Sequence, residues 1–373
     1  MGKLLFYVFL FLLVSCDLNY VDNDYFIGNI NVIEDSVSVK NVRSQSFAIE
    51  GVYNGPVFVY DSLLIYYPLN RTATSSYEIY NLKDLSLIGE FCGKGVGPNE
   101  IVAFTTISHF YKENGELKTL LYGANEKKLV EWNISKSLAK HTTVFDRIVS
   151  YDWDVDKHVT VYNKLFRLNT DTILAITPTV PLTLDQELVS LPLYEKRTIE
   201  TNKQVKLYDI FHKYPENNGL NVHSSYNILP PERFLESFYC IKPDCSKMVQ
   251  VMMFMPQINI LDLQSGEVNG FRLNSSVNFS VFRKNIEKVN YCFTGVAVDD
   301  EFIYALYWGR KIKDDSDKKR SCIVYVFNWA GVLVNKIDLE NYVNQIFLDE
   351  KNNILYGREY TSDYIYSYDL SVL

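Results

Sequence analysis

The chain has few of the residues and runs that mark unstructured or membrane-spanning proteins. Only 17 glycines and 11 prolines occur among its 373 residues, which argues against a low-complexity sequence. No apolar run after residue 16 approaches the roughly 18 residues that a transmembrane helix needs. Hydrophobic residues make up 47% of the chain, which is ample for a packed core. We therefore expect a folded domain without a transmembrane helix.

The chain also contains fewer basic than acidic residues. Lysine and arginine together number 37, against 45 aspartates and glutamates, so the formal net charge is −8. An acidic chain without a basic stripe argues against a nucleic-acid partner. It also offers no electrostatic attraction to anionic lipid head groups, so any membrane attachment would depend on acyl chains.

The motifs of several common chemistries are missing. The cysteines include no C-x-x-C pair, so a zinc site or a thioredoxin-like site has no support. None of the five histidines pairs at metal-ligand spacing, and neither H-E-x-x-H nor G-x-S-x-G occurs. We therefore assign no catalytic residue, metal ligand or cofactor.

The first sixteen residues have the layout of a secretory signal. Lys3 supplies a positive charge, residues 4–13 are all apolar, and Ser15 and Cys16 close the segment. The ending L-V-S-C resembles the lipobox of bacterial lipoproteins, which implies cleavage before Cys16 and acylation of that cysteine. This resemblance predicts a signal peptide over residues 1–15, a tether over 16–35 and a lipid anchor in the outer membrane, facing the periplasm or the cell surface. An ordinary cleaved signal is the alternative.

Lipidation of Cys16 would leave an odd number of cysteines. An exported chain permits disulfides, and Cys240 and Cys245 lie closest in sequence. We favour the alternative, in which the remaining cysteines are small hydrophobic core residues. These are Cys92, Cys240, Cys245, Cys292 and Cys322.

A short strand ending recurs six times along the chain. It consists of an apolar or aromatic residue, then Asn or Asp, then another apolar residue, and the copies lie 41 to 76 residues apart. With about four alternating strands per unit, this spacing is typical of β-propeller blades. The copy at Asp209 is the weakest, because the irregular stretch 214–236 belongs to its unit. The central residues are Asn81, Asn133, Asp209, Asp262, Asn328 and Asp369.

The last unit supplies only three strands, over residues 344–349, 354–360 and 364–370. An open sheet edge invites aggregation, and residues 37–42 can supply the missing strand. We therefore predict an all-β fold: a six-bladed β-propeller over residues 36–373, in which an N-terminal strand closes the last blade. At most a short turn of helix is expected, within 133–140.

One stretch also resembles a known family. The sequence F-C-G-K-G-V-G-P-N-E-I over residues 91–101 resembles the F-G-x-K-G-x-G-P-x-E-[FI] turn of the TolB-like six-bladed β-propeller lipoproteins. Similar stretches occur at 294–300 and 325–331, so the resemblance covers nearly all of the mature chain. It implies a propeller fold and a cell-envelope location but no reaction. Cys92 replaces the usual glycine, which suggests that this position does not require a positive φ.

The glycines of this turn do not form a phosphate-binding loop. A Walker A loop needs a helix after its lysine, whereas Lys94 is followed by another glycine and no helix is expected. We interpret the segment as a structural turn between the outer strand of the first blade and the inner strand of the second, which would open at Ile101. The turn residues are Gly93, Gly95, Gly97, Pro98 and Glu100.

Other candidate sites are weaker. Asp152, Asp154 and Asp156 would share one face of a strand and could hold a hard cation such as calcium, although a solvated loop is the preferred interpretation. Residues 314–320 are interpreted as a charged hairpin tip. The 28 tyrosines and 22 phenylalanines could line a glycan-binding surface, but β-sheet packing accounts for most of them.

Two functions are consistent with these features. The first is a monomeric, non-catalytic protein that binds a protein or glycan ligand at one end of a central channel. The second is an enzyme that acts on glycans, a lyase or a hydrolase, with carboxylates in the channel. Inward-facing titratable groups with shifted pKa values would favour the enzyme, whereas a polar or aromatic rim would favour the binding protein.

Overall fold

The chain folds into six sheets, each with a core of four antiparallel strands, and two of the sheets carry a fifth strand. The computed structural model describes residues 25–52, 54–69, 73–97, 100–105, 107–151, 162–177, 191–213, 233–273, 277, 286–314 and 321–372. The predicted all-β, six-bladed propeller is confirmed. No helix among the described residues is long and apolar enough to cross a bilayer.

Three strands precede the first complete blade and are distributed over the last three blades. They are β1 (Asn29–Ile33), β2 (Val39–Asn41) and β3 (Ser44–Ala48). Blade 1 comprises β4 (Val57–Tyr60), β5 (Leu63–Tyr66), β6 (Ser75–Asn81) and β7 (Leu87–Gly93). Blade 2 comprises β8 (Phe110–Glu113), β9 (Glu116–Gly123), β10 (Lys128–Asn133) and β11 (Phe145–Ser150), with helix α1 (Ile134–Lys140) between the last two. Blade 3 comprises β12 (Lys164–Arg167), β13 (Thr172–Thr177), β14 (Leu193–Thr198) and β15 (Gln204–Tyr208).

The second half of the ring continues the same pattern. Blade 4 comprises β16 (Ser237–Ile241), β17 (Lys247–Met252), β18 (Gln257–Asp262) and β19 (Val268–Leu273). Blade 5 comprises β20 (Asn290–Val298), β21 (Phe302–Lys311), β22 (Ile323–Asn328) and β23 (Leu333–Asp338). Blade 6 comprises β24 (Gln345–Asp349), β25 (Ile354–Arg358) and β26 (Tyr364–Asp369) and takes its fourth strand from β3.

The N-terminal closure of the last blade is confirmed, but its residues differ from those expected. Strand β3 pairs antiparallel with β26, so that Ser44 lies opposite Tyr368 and Ala48 opposite Tyr364. The expected segment, residues 37–42, instead contains β2, which adds in parallel to β23 of blade 5. All three residues of β2 are exposed, as an added outer strand allows, whereas the strand that completes a blade must match its register.

Residues 25–48 form a strap around the last blades. Strand β1 adds in parallel to β19 of blade 4. Ahead of it, Tyr25 and Phe26 are almost fully buried in the core between blades 3 and 4. The Tyr25 hydroxyl donates to Gln257 Oε1 at 2.7 Å and accepts a hydrogen bond from Arg272. The second half of the expected tether, from residue 25, therefore packs against the propeller.

Three of the recurring Asn and Asp residues, Asn81, Asp262 and Asn328, close the turn between the third and fourth strands of their blades. Asp262 Oδ1 accepts hydrogen bonds from the backbone N–H groups of Gln264 and Ser265, at 3.0 and 2.8 Å. Asn81 accepts in the same way from Lys83 at 2.8 Å. These are Asx turns, in which the side chain replaces a backbone acceptor. The repeat therefore reflects side-chain hydrogen bonds in hairpin turns and not a ligand-binding site.

One copy of the repeat is out of phase. Tyr208 ends the fourth strand of blade 3 and Asp209 follows it, so this copy does not mark the expected hairpin after the third strand. The third strand ends at Thr198, whose hydroxyl accepts from the backbone N–H of Lys203 at 3.0 Å. In this turn a threonine side chain accepts the hydrogen bond that Asn or Asp accepts in other blades. The Asn/Asp pattern therefore does not mark this turn.

Helix α1 confirms the short helix expected after the second copy of the repeat. Asn133 is its N-cap and accepts from the backbone N–H of Lys136 at 2.9 Å. The fully buried Trp132 donates from Nε1 to Ser137 Oγ at 3.0 Å, which fixes the helix against blade 2. The helix ends at His141, which adopts a left-handed conformation with φ of 52°.

Candidate ligand-binding channel

A central cavity of about 1610 Å³ is bordered by the inner strands of all six blades, β4, β8, β12, β16, β20 and β24. Aromatic side chains of blades 1, 2 and 6 line one side of the middle of this cavity. The ring of Phe58 lies 6.4 Å from that of Phe347 and 6.3 Å from that of Phe110, and Tyr60 lies 5.4 Å from Phe110. Such mostly apolar, concave sites with a few polar groups are where proteins bind small ligands.

The inner strands begin at one end of the channel, which we call the upper mouth, and an aromatic wall stands there. Consecutive rings of Phe254, Tyr291, Trp308 and Tyr342 lie 5.5, 5.8 and 5.2 Å apart. The last three border the cavity, and Phe254 packs behind them. Trp308 is held in place because its Nε1 donates to the carbonyl of residue 343 at 3.0 Å. The guanidinium of Arg310 lies over both Trp308 and Tyr342.

The opposite end, the lower mouth, carries an ion network between blades 2 and 3. Lys118 Nζ lies 2.9 Å from carboxylate oxygens of Glu113 and Glu131 and 2.7 Å from one of Asp146. Arg167 pairs with Glu113 from the neighbouring blade, and its guanidinium also lies over an aromatic ring of β8. Burial alone would raise the pKa of Asp146, but hydrogen bonds from Lys118 and two neighbouring side chains lower it to about 2. Each of these carboxylates is paired with Lys118.

Glu350 is the carboxyl group of the described residues whose pKa is raised. Burial is the largest cause, followed by the charges of Asp300 and Asp299. Asp299 itself accepts hydrogen bonds from the backbone N–H of Phe302 at 2.6 Å and from the Tyr304 hydroxyl at 2.9 Å. It is therefore committed to the β20–β21 turn and is poorly placed to serve as a partner base for Glu350.

Three titratable groups face the channel further inside. Burial lowers the pKa of Lys164 and raises that of Cys240 to about 12, so this thiol is protonated at neutral pH. Burial and the charge of Arg167 lower the pKa of His109 to about 4, so its imidazole is neutral. The Cys240 thiol donates to the carbonyl of Val296 at 3.3 Å. None of these groups forms an acid–base pair with a channel carboxylate in the described part of the chain.

Several other sequence candidates cannot be compared with the channel, because they fall outside the described residues. They are Asp152, Asp154, Asp156, His158, His223 and residues 315–320. In the described ranges, no three His, Cys, Asp or Glu side chains are grouped so as to hold a metal ion. The five described cysteines are all unpaired, with Cys92, Cys292 and Cys322 buried. The alternative of a disulfide between the two closest cysteines is therefore not realised.

The glycine turn lies away from the channel, around one carboxylate. Glu100 Oε2 accepts from the backbone N–H of Gly97 at 3.0 Å. A Cβ added at Gly95 would lie 2.0 Å from that oxygen, so this glycine serves the close approach of Glu100 and not a positive φ. The inner strand of blade 2 begins at Phe110 and not at Ile101, because residues 101–105 make only one isolated bridge to blade 2. Pro98 lies outside the described residues.

The interpretation of Cys92 is wrong. Its φ is +59°, in the left-handed region, although it is not glycine. The surroundings hold it there, because its backbone N–H donates to Thr143 Oγ1 at 2.7 Å and its thiol is fully buried between blades 1 and 2. Context therefore imposes a conformation that costs about 1–3 kcal/mol elsewhere.

Replacing Gly95 with Val is expected to lower the free energy of unfolding by about 1–3 kcal/mol, because the new side chain displaces the Glu100 carboxylate. Urea unfolding measures the change. Glu100→Ala in the same chain serves as the control, since removing the carboxylate relieves the clash. Equal losses in the single and double variants would contradict this explanation. Micromolar nucleotide affinity that Lys94→Ala abolishes without loss of stability would replace the structural turn by a ligand site.

The aromatic wall escaped the sequence analysis. Its members are distant in sequence and indistinguishable there from core aromatic residues. One local signal was present: Gly309 follows Trp308 inside a strand pattern, and glycine in a strand often marks a bulge.

Comparison with known proteins agrees with this fold. A family model described as TolB-like 6-blade propeller-like matches residues 40–351. None of the curated protein sequences compared with the chain matches it.

Two solved structures show distant similarity. A putative exported protein from Bacteroides fragilis has 10% identity and a TM-score of 0.49, with 88% of each chain covered. The β-propeller domain of a Myceliophteria thermophila protein has 9% identity and a TM-score of 0.42, covering 87% of this chain and 99% of that one. On the extent of the family match and the six blades observed, the chain belongs to the TolB-like six-bladed propeller family.

Proposed function

We propose that the protein is an exported, lipid-anchored binding protein without catalytic activity, and that its ligand enters the central channel at the upper mouth. The observation that carries this proposal is the aromatic wall of Tyr291, Trp308 and Tyr342, which borders a cavity of about 1610 Å³. Rigid aromatic side chains supply contact area at low entropic cost, which suits binding.

The carboxylates of the channel support binding over hydrolysis. A glycosidase needs one protonated and one ionised carboxyl group on opposite sides of the scissile bond. At the lower mouth Glu113 is paired with Lys118 and Arg167, and these hydrogen bonds lower its pKa. Its neighbours in the network are paired as well, so they suit interblade stability rather than proton transfer.

The enzyme alternative has one specific feature in its favour. Glu350 borders the cavity and has a raised pKa, as a general acid requires. Its nearest charges are those of Asp299 and Asp300, and both are negative. Incubation with a panel of neutral and uronate polysaccharides distinguishes the two functions. We expect neither new reducing ends nor unsaturated uronates, and products that disappear in Glu350→Gln would establish the enzyme instead.

Ligand binding itself is tested with the full mature chain. A thermal-shift screen against defined oligosaccharides and peptides should find a compound that raises Tm, because a ligand that binds only the folded state stabilises it. Trp308 borders the cavity, whereas Trp132 and Trp329 are buried, so an occupant of the upper mouth should also change Trp308 emission. A stabilising compound that leaves this emission unchanged in comparison with Trp308→Phe would place the ligand elsewhere.

Export and anchoring are supported by the apolar run over residues 4–13 and the lipobox-like ending at Cys16. The strap begins at Tyr25, nine residues further on, and nine residues reach at most about 30 Å. An acylated Cys16 would therefore keep the junction of blades 3 and 4 close to the membrane.

Replacing Cys16 with Ala is expected to abolish labelling by an alkyne fatty acid and, provided that the signal is still cleaved, to move the protein from the membrane fraction to the soluble fraction. Wild-type protein supplies the labelled reference, and Cys245→Ala controls for loss of an unrelated thiol. Wild-type protein that takes up no fatty acid would contradict the anchor while leaving the channel proposal intact.

A further inference from the structure

Lys164 begins the inner strand of blade 3 and faces the channel. Because side chains alternate along a strand, Lys164 and Phe166 lie on the same face of β12, and both border the cavity. Leu165, between them, does not border the cavity and packs in the core between blades 2 and 3. The side chain of Lys164 is closely surrounded by protein but keeps part of its surface exposed. That exposed part opens on the upper end of the channel, where β12 begins.

The ammonium group of Lys164 has no partner within the described ranges, where it forms neither a salt bridge nor a hydrogen bond. The titratable group that acts on it is Cys240 of the neighbouring blade, which also borders the cavity. The pKa of this thiol is raised to about 12, so Cys240 is uncharged at neutral pH and supplies no counter-charge. Burial lowers the pKa of Lys164, as expected for an ammonium group without a nearby anion.

Other buried cations of this protein have acceptors in the protein itself. Lys118 meets three carboxylates at 2.7 to 2.9 Å, and Lys336 Nζ lies 2.6 Å from Asp35. Arg358 donates to three backbone carbonyls at 2.9 to 3.0 Å. Withdrawing a charge from water is unfavourable unless an acceptor replaces the water. Since Lys164 is open only towards the channel, its partner has to enter from the channel.

The two ends of the channel differ in charge. Among the described residues that border the cavity, three of the four charged side chains at the upper end are cations: Lys164, Arg233 and Lys313, with Glu359 as the anion. Arg233 is neutralised by Glu236 at 2.8 Å. At the lower end, four of the seven charged side chains are carboxylates. A protein with a net charge of −8 therefore presents positive charge at the mouth where the aromatic wall stands.

We propose that Lys164 anchors the anionic group, a uronate carboxylate or a sulfate, of an acidic oligosaccharide that enters the channel at the upper mouth. The inference rests on the proposed binding function and names its ligand class. A lysine ammonium is a compact point charge with three donors, which suits one oxygen-rich anion. The aromatic wall belongs to blades 5 and 6, and blade 3 lies across a six-bladed ring from blade 6. A ligand that stacks a sugar ring on the wall and reaches Lys164 therefore spans the mouth, as an oligosaccharide can.

An acidic peptide fits this arrangement less well. Acidic and phosphorylated motifs are recognised by clusters of arginines, which neutralise several charges at once. Inside this channel Lys164 stands alone, and the carboxylate of Glu359 borders the same end. Additional negative charges on a peptide would also be repelled by a chain with a net charge of −8. A ligand with few anionic groups, spaced by uncharged sugar rings, avoids both penalties.

The test uses the full mature chain on an array of uronate and sulfated oligosaccharides, each printed beside its carboxyl-reduced or desulfated counterpart, with acidic peptides alongside. We expect at least one acidic oligosaccharide to bind, and its neutral counterpart to bind about tenfold more weakly or worse. Lys164→Met should abolish this preference, and Lys164→Arg, which keeps the charge, should retain it. Lys164→Met should leave Tm unchanged or higher without ligand, because it removes an unpaired charge and keeps a chain of similar length.

Lys112→Met is the matched control. Lys112 also borders the cavity from an inner strand, but it lies at the lower end over the ring of Tyr60, so this variant should bind within about twofold of wild type. Equal affinity for an acidic oligosaccharide and its neutral counterpart overturns the anion site without any variant. An acidic preference that survives in Lys164→Met, or binding to neutral sugars or peptides alone, also overturns it and leaves the binding function standing. A chain that binds nothing in the channel overturns both.

Discussion

A chain that lacks residues 1–48 is expected to lose the cooperative unfolding transition of the propeller. This deletion removes all three strap strands, and it leaves β26 as an unpaired edge in the last blade. It also removes the side chains of Tyr25 and Phe26, which are almost fully buried between blades 3 and 4. The exposed edge promotes aggregation, so the variant should be recovered largely as insoluble protein.

A series of shorter deletions separates the contributions of the strap. Removal of residues 1–42 keeps β3 and the closed ring but loses the two buried aromatic side chains, each worth about 1.5–3 kcal/mol. We expect this variant to fold with Tm lowered by about 4–9 °C through the loss of these two side chains. Circular dichroism melts and size-exclusion chromatography measure the series. If removal of residues 1–48 changes Tm no more than removal of residues 1–42, β3 does not close the ring.

Replacing Lys118 with Met is expected to lower the free energy of unfolding by about 3–5 kcal/mol at neutral pH. Lys118 is 5% exposed and is paired with Glu113, Glu131 and Asp146, and breaking a buried ion pair leaves uncompensated charges. Lys136→Met is the matched control, because Lys136 touches the same Asp146 from a side chain that is 40% exposed. That change should cost no more than about 1 kcal/mol.

The pH dependence of the free energy of unfolding tests whether lost ion pairs cause this destabilisation. Hydrogen bonds hold the pKa of Asp146 near 2 in the folded wild type, against about 3.9 in an unfolded chain. A lowered carboxyl pKa stabilises the fold above the unfolded value, and this contribution is lost as the pH falls through the folded one. Without Lys118 the three carboxylates lose the cation that they share, although Arg167 and Lys136 remain next to them. The difference between wild type and Lys118→Met should therefore shrink between pH 7 and pH 3, and a constant difference would indicate lost packing instead.

Sequence patterns predicted the ring because hairpin chemistry repeats locally. Asn81, Asp262 and Asn328 each close a turn with their own side chain, so each leaves a mark in a short stretch of sequence. Blade 3 shows where the pattern fails. Thr198 makes an equivalent hydrogen bond, and Asp209 imitates the motif one strand later. The sequence therefore predicted the number of blades, but it did not predict which strand of blade 3 the hairpin turn follows.

The strap and the aromatic wall could not be predicted from the sequence for a different reason. The exposed residues of β2 carry no apolar alternation, because an added outer strand faces solvent and needs none. Tyr291, Trp308 and Tyr342 cannot be told from core aromatic residues in the sequence, and only the fold brings their rings together. Such properties arise from contacts across blades, and a single sequence without those contacts does not reveal them.

The closure of blade 6 by β3 also governs when folding can finish. Ser44 pairs with Tyr368, more than 320 residues later, so the ring cannot close until nearly the whole chain is available. Pairings of such long sequence separation slow folding. While the chain is synthesised from its N-terminus, β3 would stay unpaired until five blades have folded. During that time it could pair with the open edges of other chains. Rapid refolding is therefore expected only in dilute solution, and the yield of refolded protein should fall as the protein concentration rises.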